Sequence, residues 1–279
     1  MSSNPVFNRI DRDAQKGYAG FGLPQQAGPG AHVGREQMSA QQLQDLYAQP
    51  SAGPVQTGRV TMDDVIMKTL GLFSLVVVLA AASWYVTKEN QQLGFVAVIG
   101  GFVLTLGLGF AIALKKTISV PLIVTYAVVE GVLVGAVSSF YAQLYGNSIV
   151  GQAVVATLAT FAGMFVAYKT GLIKVTDKFR RIVSMAIFGY MIFAIVNFGY
   201  SLIAHQAFGF GGSGPLGIGI SLFATGLAAV TLALDFDSID RAIASGAPEK
   251  YSWLLAHGLI VTIVWLYLEM LRLLGRMRS

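Results

Sequence analysis

The sequence predicts an all-α, polytopic membrane protein with seven transmembrane helices. Three observations predict it. Seven long apolar stretches fill the chain between Val65 and Leu274, and each approaches the ~20 helical residues needed to cross a hydrocarbon core. The stretches are continuous, without the period-two alternation of strands. Hydrophobic residues make up 54% of the 279 residues and charged residues only 12%, against about 25% charged in a typical soluble domain.

Residues 1–62 precede the first apolar run and read as a disordered cytoplasmic tail. Five of the eight prolines lie here (Pro5, Pro24, Pro29, Pro50 and Pro54), among many Gly, Gln and Ala. Such a segment buries too little apolar surface to offset its ordering entropy. Arg35 to Tyr47 has weak helical spacing that would suit a membrane surface. The first ten residues lack an apolar core, so no cleavable signal is expected and the first span must direct insertion.

The transmembrane domain is expected over residues 63–279. The expected spans are Leu70–Val86, Leu93–Leu114, Ile118–Phe140, Ser148–Tyr168, Ile182–Ala204, Pro215–Leu234 and Ser252–Leu274. The sixth, rich in Gly and Ala, has the least marked limits. Gly100, Gly101, Gly107 and Gly109 in the second, with Gly217, Gly219, Ala224 and Gly226 in the sixth, are small enough to let helices approach closely.

Orientation follows from Lys and Arg near the spans. One side holds eleven: Arg59, Lys68, Lys115, Lys116, Lys169, Lys174, Lys178, Arg180, Arg181, Arg241 and Lys250. The other holds four: Lys88, Arg272, Arg276 and Arg278. The richer side is expected in the cytoplasm, with the amino terminus. Seven crossings put the carboxyl terminus outside; a segment that dips in and returns would put it inside. The net charge of +5 sits in short loops and therefore orients the chain rather than binding nucleic acid.

Function then depends on the polar groups allowed within the bilayer. A charge at mid-membrane costs at least about 2.5 kcal/mol on insertion scales. Glu130 lies near the middle of the third span. Asp235, Asp237 and Asp240 lie at the cytoplasmic end of the sixth, and on a helix Asp237 and Asp240 share a face while Asp235 points elsewhere. Glu269 lies toward the outer side of the last span, where Arg272, three residues on, would pair with it at the membrane surface. Thr262 extends that face, and Tyr190 and Asn197 form a similar polar stripe on the fifth span. Acids at stepped depths, Asp235 and Asp237 inside, Glu130 central and Glu269 outside, suit a proton or cation path. Lys115 and Lys116 are candidate latch partners for the aspartates.

Other chemistries lack their residues. The chain has no cysteine, which excludes thiolate metal sites and cysteine nucleophiles. Its histidines, His32, His205 and His257, show no metal-ligand spacing. No nucleotide-binding Gly-Lys-Ser or Gly-Lys-Thr loop and no His-Glu-x-x-His occurs. Gly212-Ser213-Gly214 lacks the strand-to-helix setting of a hydrolase. The Asp235 run fails as a calcium loop because Ile239 and Gly246 occupy the fifth and twelfth positions. No enzyme, no cofactor and no fixed metal site is expected.

Leu234-Asp235-Phe236-Asp237-Ser238-Ile239, Gly246-Ala247-Pro248, Gly258-Leu259-Ile260-Val261-Thr262 and Trp265-Leu266-Tyr267-Leu268-Glu269-Met270-Leu271-Arg272-Leu273-Leu274 resemble the bacterial branch of the Bax inhibitor family. Met62-Asp63-Asp64-Val65 and Glu130-Gly131 also resemble it, so the likeness covers about residues 60–275. The resemblance implies six helices around a central last helix. It implies pH-sensitive calcium leak or, in eukaryotes, suppression of cell death; some bacterial members are linked to a membrane protease. It also implies an aspartate pair, one on each of the last two helices, acting as a proton-sensitive latch. Asp237 resembles the first. The second does not carry over cleanly: aligning the terminal Leu-Arg-Leu-Leu puts Thr262 near its place, and the nearest acid on that face is Glu269, two turns later.

The expected function is therefore a pH-sensitive cation (calcium) leak channel or exchanger in a bacterial cytoplasmic membrane. Asp237 would gate, Asp235 assist, Glu130 carry the ion or proton and Glu269 act at the outer mouth. A carboxylate titrates ordinarily near about pH 4, so gating near neutrality requires burial or a like charge. The rival is a non-transporting regulator or scaffold that binds a membrane protease or another integral protein.

Overall fold

A computed structural model describes residues 58–205 and 208–279. The expected tail, including the Arg35 to Tyr47 spacing, lies outside the described residues up to residue 57. Seven helices follow: α1 (Met62–Glu89), α2 (Gln91–Leu114), α3 (Val120–Tyr145), α4 (Ser148–Lys169), α5 (Asp177–Ala204), α6 (Pro215–Ala244) and α7 (Tyr251–Arg278). All seven are long and apolar enough to cross a membrane. Among the described residues the only strand-like pairing is one bridge between Arg59 and Pro248.

Local sequence explains where the helices begin. Thr61 caps α1 reciprocally: its hydroxyl accepts from the Asp64 N–H at 3.2 Å, and the Asp64 carboxylate accepts from the Thr61 N–H at 3.2 Å. Two free N–H groups are satisfied at once. Asn90 separates α1 from α2 and caps the latter by accepting from the Leu93 N–H at 3.1 Å. Pro121 and Pro215 stand in the first turns of α3 and α6, where a missing N–H costs nothing.

The helix starts and ends alternate between two faces of the bundle. At the near end, Lys68 of α1 pairs with Glu249 at 3.1 Å. At the far end, Arg278 donates to the Tyr145 carbonyl at 2.8 Å. Met62 and Arg278 therefore lie at opposite ends, and none of the seven helices turns back midway. Residues 58–61 also pack at the near end. The Val60 N–H donates to the Ala247 carbonyl and the Glu249 N–H to the Gly58 carbonyl, both at 2.8 Å, and Val60 is buried.

Helix α7 is the centre. Of its most apolar window 78% is buried, against 50% for α3 and α6 and 17–22% for the other four. Helices α3 and α6 thus flank α7, and the outer helices turn residues such as Met67, Leu104, Phe188 and Ile203 outward. Helix α7 buries His257, Thr262, Glu269 and Arg276, polar side chains that would be costly against lipid.

Small residues set the closest approaches, but mostly not those singled out above. A Cβ at Gly131 or Gly135 would run into the α1 backbone at Val76 or Ala80. The Ser83 hydroxyl donates across this contact to the Val132 carbonyl at 2.8 Å. Gly101 and Gly217 also make close contacts, whereas Gly100, Gly107, Gly219 and Gly226 face open space.

Helix α6 continues to Ala244 rather than stopping at Leu234. Phe236 holds the extension in place, its ring packed by Phe161, Phe165 and Tyr168 of α4 at centroid distances of 5.7, 5.3 and 5.8 Å. The three aspartates of α6 are consequently helical residues.

Candidate functional site

The extension of α6 carries carboxylates at its C-terminal end, where the helix dipole disfavours them. Cations from two other helices converge there. Arg180, from the first turn of α5, donates to Asp237. Arg241, one turn later on α6, lies 2.9 Å from the same carboxylate oxygen. Asp240 pairs with Lys169 of α4 at 3.2 Å and accepts from the Tyr168 hydroxyl at 3.0 Å. The Arg180 side chain is 6% exposed and that of Asp237 15%, so this pair is largely withdrawn from water.

Lys115 and Lys116, the candidate latch partners, make no ion pair with Asp237 among the described residues. Both are exposed at the end of α2, and Asp237 takes Arg180 and Arg241 instead. The reason is topological: α5 packs on α6, while no contact between α2 and α6 is prominent among the described residues. The Asp237–Arg241 partnership was available in the sequence as an i,i+4 spacing. That of Arg180 was not, since it depends on how α5 docks.

Deeper in the bundle are two acids, each with an unpartnered oxygen. Asp235 is buried on α6 beside Thr262 of α7, whose hydroxyl donates to the Gly258 carbonyl at 3.2 Å. The Asp235 Oδ2 has no partner. Glu130 is buried on α3 and accepts from the Tyr126 hydroxyl at 3.0 Å through Oε1. Its Oε2 has no partner. His257 of α7 stands edge-on to Tyr126 with ring centroids 4.5 Å apart.

The depths differ from those expected. Asp235 lies nine residues before the end of α6 and Glu130 ten residues after the start of α3. At ~1.5 Å per residue, both sit roughly 14–15 Å below the near end. Asp235 is therefore level with Glu130 rather than with Asp237. The two acids approach α7 from different flanking helices, so they do not form successive steps of one file.

Toward the far end, Glu269 is buried and fully engaged. It accepts from the Tyr190 hydroxyl at 2.6 Å, from Arg272 at 3.1 and 3.3 Å, and from the Trp265 indole at 3.4 Å. Arg272 also donates to the Tyr190 hydroxyl at 3.1 Å. Arg272 is thus Glu269's partner, though inside the bundle rather than at the membrane surface. Thr262 stands beside Asp235, and Asn197 serves the α5–α6 loop by accepting from the Phe210 N–H at 2.7 Å. Neither expected polar stripe forms a continuous line.

Among the described residues no three His, Asp or Glu side chains converge as a metal site. The two prominent hollows are apolar. One, of about 640 Å³, lies between α5 and α6 and has Tyr190 in its wall. The other, of about 390 Å³, lies among α1, α3, α4 and α7.

The sequence matches the family model described as Bax inhibitor 1 like over residues 4–279, nearly the whole chain. The chain belongs to the Bax inhibitor 1 like family. No curated protein matches it. Family membership and seven apolar helices together make it a multi-pass integral membrane protein in a lipid bilayer. In this Bax inhibitor 1 like protein, Asp237 is tied to Arg180 and Arg241, and Asp235 lies beside Thr262.

Proposed function

We propose that this protein is a pH-sensitive cation leak channel or exchanger, with calcium as the transported ion, in the cytoplasmic membrane of a bacterium. The amino terminus faces the cytoplasm in this reading, and the protein catalyses no reaction and needs no cofactor. The observation that carries it is the ion pairing of Asp237 with Arg180 and Arg241 above Asp235. Ionised, Asp237 ties α5 to α6. A proton on Asp237 discharges the tie and leaves Arg180 buried without its counter-ion, an arrangement that costs about 3–5 kcal/mol when one partner is removed. Separation of α5 from α6 relieves it and gives water a way to Asp235. Glu130 carries an ion or proton at the same depth from the α3 side of α7, and Glu269 acts near the far mouth once Arg272 releases it. Acidification accordingly opens the path.

Calcium flux into proteoliposomes tests the proposal. Flux rises on acidification in the wild type, and Asp237→Asn gives raised flux with little pH dependence. Flux equal to that of protein-free vesicles at every pH rejects it.

A second reading has its own support. Glu130 and Asp235 do not line one file, and Glu269 is held by three side chains. A non-transporting regulator would use the hollow between α5 and α6, walled by Ala186, Gly189 and Gly219, to seat a helix of a membrane protease or another integral protein. It predicts one defined co-purifying partner and a function indifferent to Glu130→Gln.

A further inference from the structure

The loop between α5 and α6 enters the bundle, and one arginine without a carboxylate partner holds it. Arg276, on the last turn of α7, is 2% exposed. One terminal nitrogen donates to the Gly217 carbonyl and to the Ser221 hydroxyl at 3.1 Å. The other donates to the Phe208 carbonyl at 2.9 Å and the Phe210 carbonyl at 3.5 Å. Its guanidinium also lies over the Phe208 ring, 5.4 Å from the centroid. All these partners are neutral, and Nε has none. Burying a charge without a counter-charge is costly. What the planar fork supplies in return is geometry, since it grips the loop and α6 together.

The loop is shaped for the grip. Gly209, Gly211 and Gly212 have φ values of +69°, +83° and +51°, which side-chain-bearing residues rarely adopt. Asn197 of α5 makes a second clasp, donating to the Phe208 carbonyl at 3.3 Å and accepting from the Phe210 N–H at 2.7 Å. Phe210 stacks on Tyr200 of α5 at 4.1 Å, and Phe208 on Tyr145 of α3 at 6.4 Å. The loop backbone lies directly on α6: a Cβ at Gly217 would run into the carbonyl oxygens of Gly211 and Gly212. Residues 208–214 therefore touch α3, α5, α6 and α7. One turn below Ser221 on the same face of α6 is Thr225, whose buried hydroxyl has no partner.

We infer that residues 208–214 are a plug that seals the far end of the bundle, with Arg276 as its latch. The seal separates water at that end from the polar interior at Thr225. Opening of the seal would expose Thr225 whether or not an ion crosses the bundle.

The absence of cysteine makes that test direct. Thr225→Cys places one thiol under the plug. The protein in lipid nanodiscs is exposed to 2-sulfonatoethyl methanethiosulfonate, and the labelling rate is measured. The rate is low with the plug intact. Arg276→Ala, which removes the latch, and Gly217→Ala, which lifts the loop while leaving Arg276 in place, each raise it at least about tenfold by favouring local opening. A second reporter, Ala242→Cys near the other end of α6, keeps its rate in both variants. The inference is overturned if neither variant changes the Thr225→Cys rate, or if the Ala242→Cys rate rises in step, which would mean general loosening.

Discussion

Thr262 of α7 stands beside the carboxyl group of Asp235 on α6, with its own hydroxyl donating to the Gly258 carbonyl at 3.2 Å. By the resemblance read from the sequence, Thr262 lies near the place of the second latch aspartate. Its neighbour is Asp235 rather than Asp237, because α6 stays helical through both and turns them to different sides.

Thr262→Val tests the strength of this contact. It removes the hydroxyl beside a buried carboxyl group, a loss of about 1–3 kcal/mol if that group depends on it. The melting temperature in detergent is expected to fall. Adding Asp235→Leu to Thr262→Val should recover most of the loss, since removing both polar partners is nearly neutral. An unchanged melting temperature in the single variant shows that the contact contributes nothing.

Under the leak reading, the Asp237 cluster predicts which basic residues set the pH response. Arg180→Gln removes the buried cation of the latch and is expected to raise calcium flux at neutral pH and flatten its pH dependence, as Asp237→Asn does. Lys115→Gln and Lys116→Gln, on exposed lysines that do not reach Asp237, should leave the response unchanged. A flux profile altered by the lysine variants and not by Arg180→Gln reverses the assignment.

Much of the fold was legible because membrane crossing imposes a length and a polarity that single residues report. The seven apolar runs gave seven helices, and the burial of α7 agrees with the arrangement implied by the resemblance. The end of α6 was not legible: Asp235, Asp237 and Asp240 look like a boundary in composition, and only the packing of Phe236 on α4 shows that the helix goes on. The partners of the acids were legible where they were local, as Glu269 with Arg272, and hidden where two distant helices had to meet, as Asp237 with Arg180 or Arg276 with Phe208. The small residues illustrate the same limit. Gly135 and Gly100 are equivalent in sequence, yet one meets a backbone and the other faces open space.

That contrast is itself testable. Gly135→Val forces α1 and α3 apart at the Ala80 carbonyl, an overpacking that costs about 1–3 kcal/mol or more. Gly100→Val points into open space and should be tolerated. Thermal unfolding of the two variants side by side is the measurement. Equal loss in both would show that the helical propensity of valine, and not helix approach, governs the effect.

Glu130→Gln separates carrying a proton from holding a helix. The amide keeps an oxygen to accept from Tyr126, so the fold should melt within about 0.5 kcal/mol of the wild type, the range of benign changes. Under the leak reading, calcium flux falls because the group can no longer bind and release charge at mid-depth. Unchanged flux with unchanged stability removes Glu130 from the path.

The far-end pair offers the sharpest asymmetry. Glu269 and Arg272 are 3.1 Å apart, yet the side chain of Glu269 is 5% exposed and that of Arg272 33%. Removing either partner strands the other, but with unequal freedom. Arg272 without Glu269 can turn its long side chain outward to water. Glu269 without Arg272 keeps only the Tyr190 and Trp265 donors and cannot leave. Arg272→Gln should therefore destabilise by about 3–5 kcal/mol, as for a buried ion that loses its partner, and Glu269→Gln by distinctly less. The double variant should melt above Arg272→Gln alone. The order of the three melting temperatures decides the matter, because a pair held mainly by solvent-screened attraction would give two equal, small losses and no recovery.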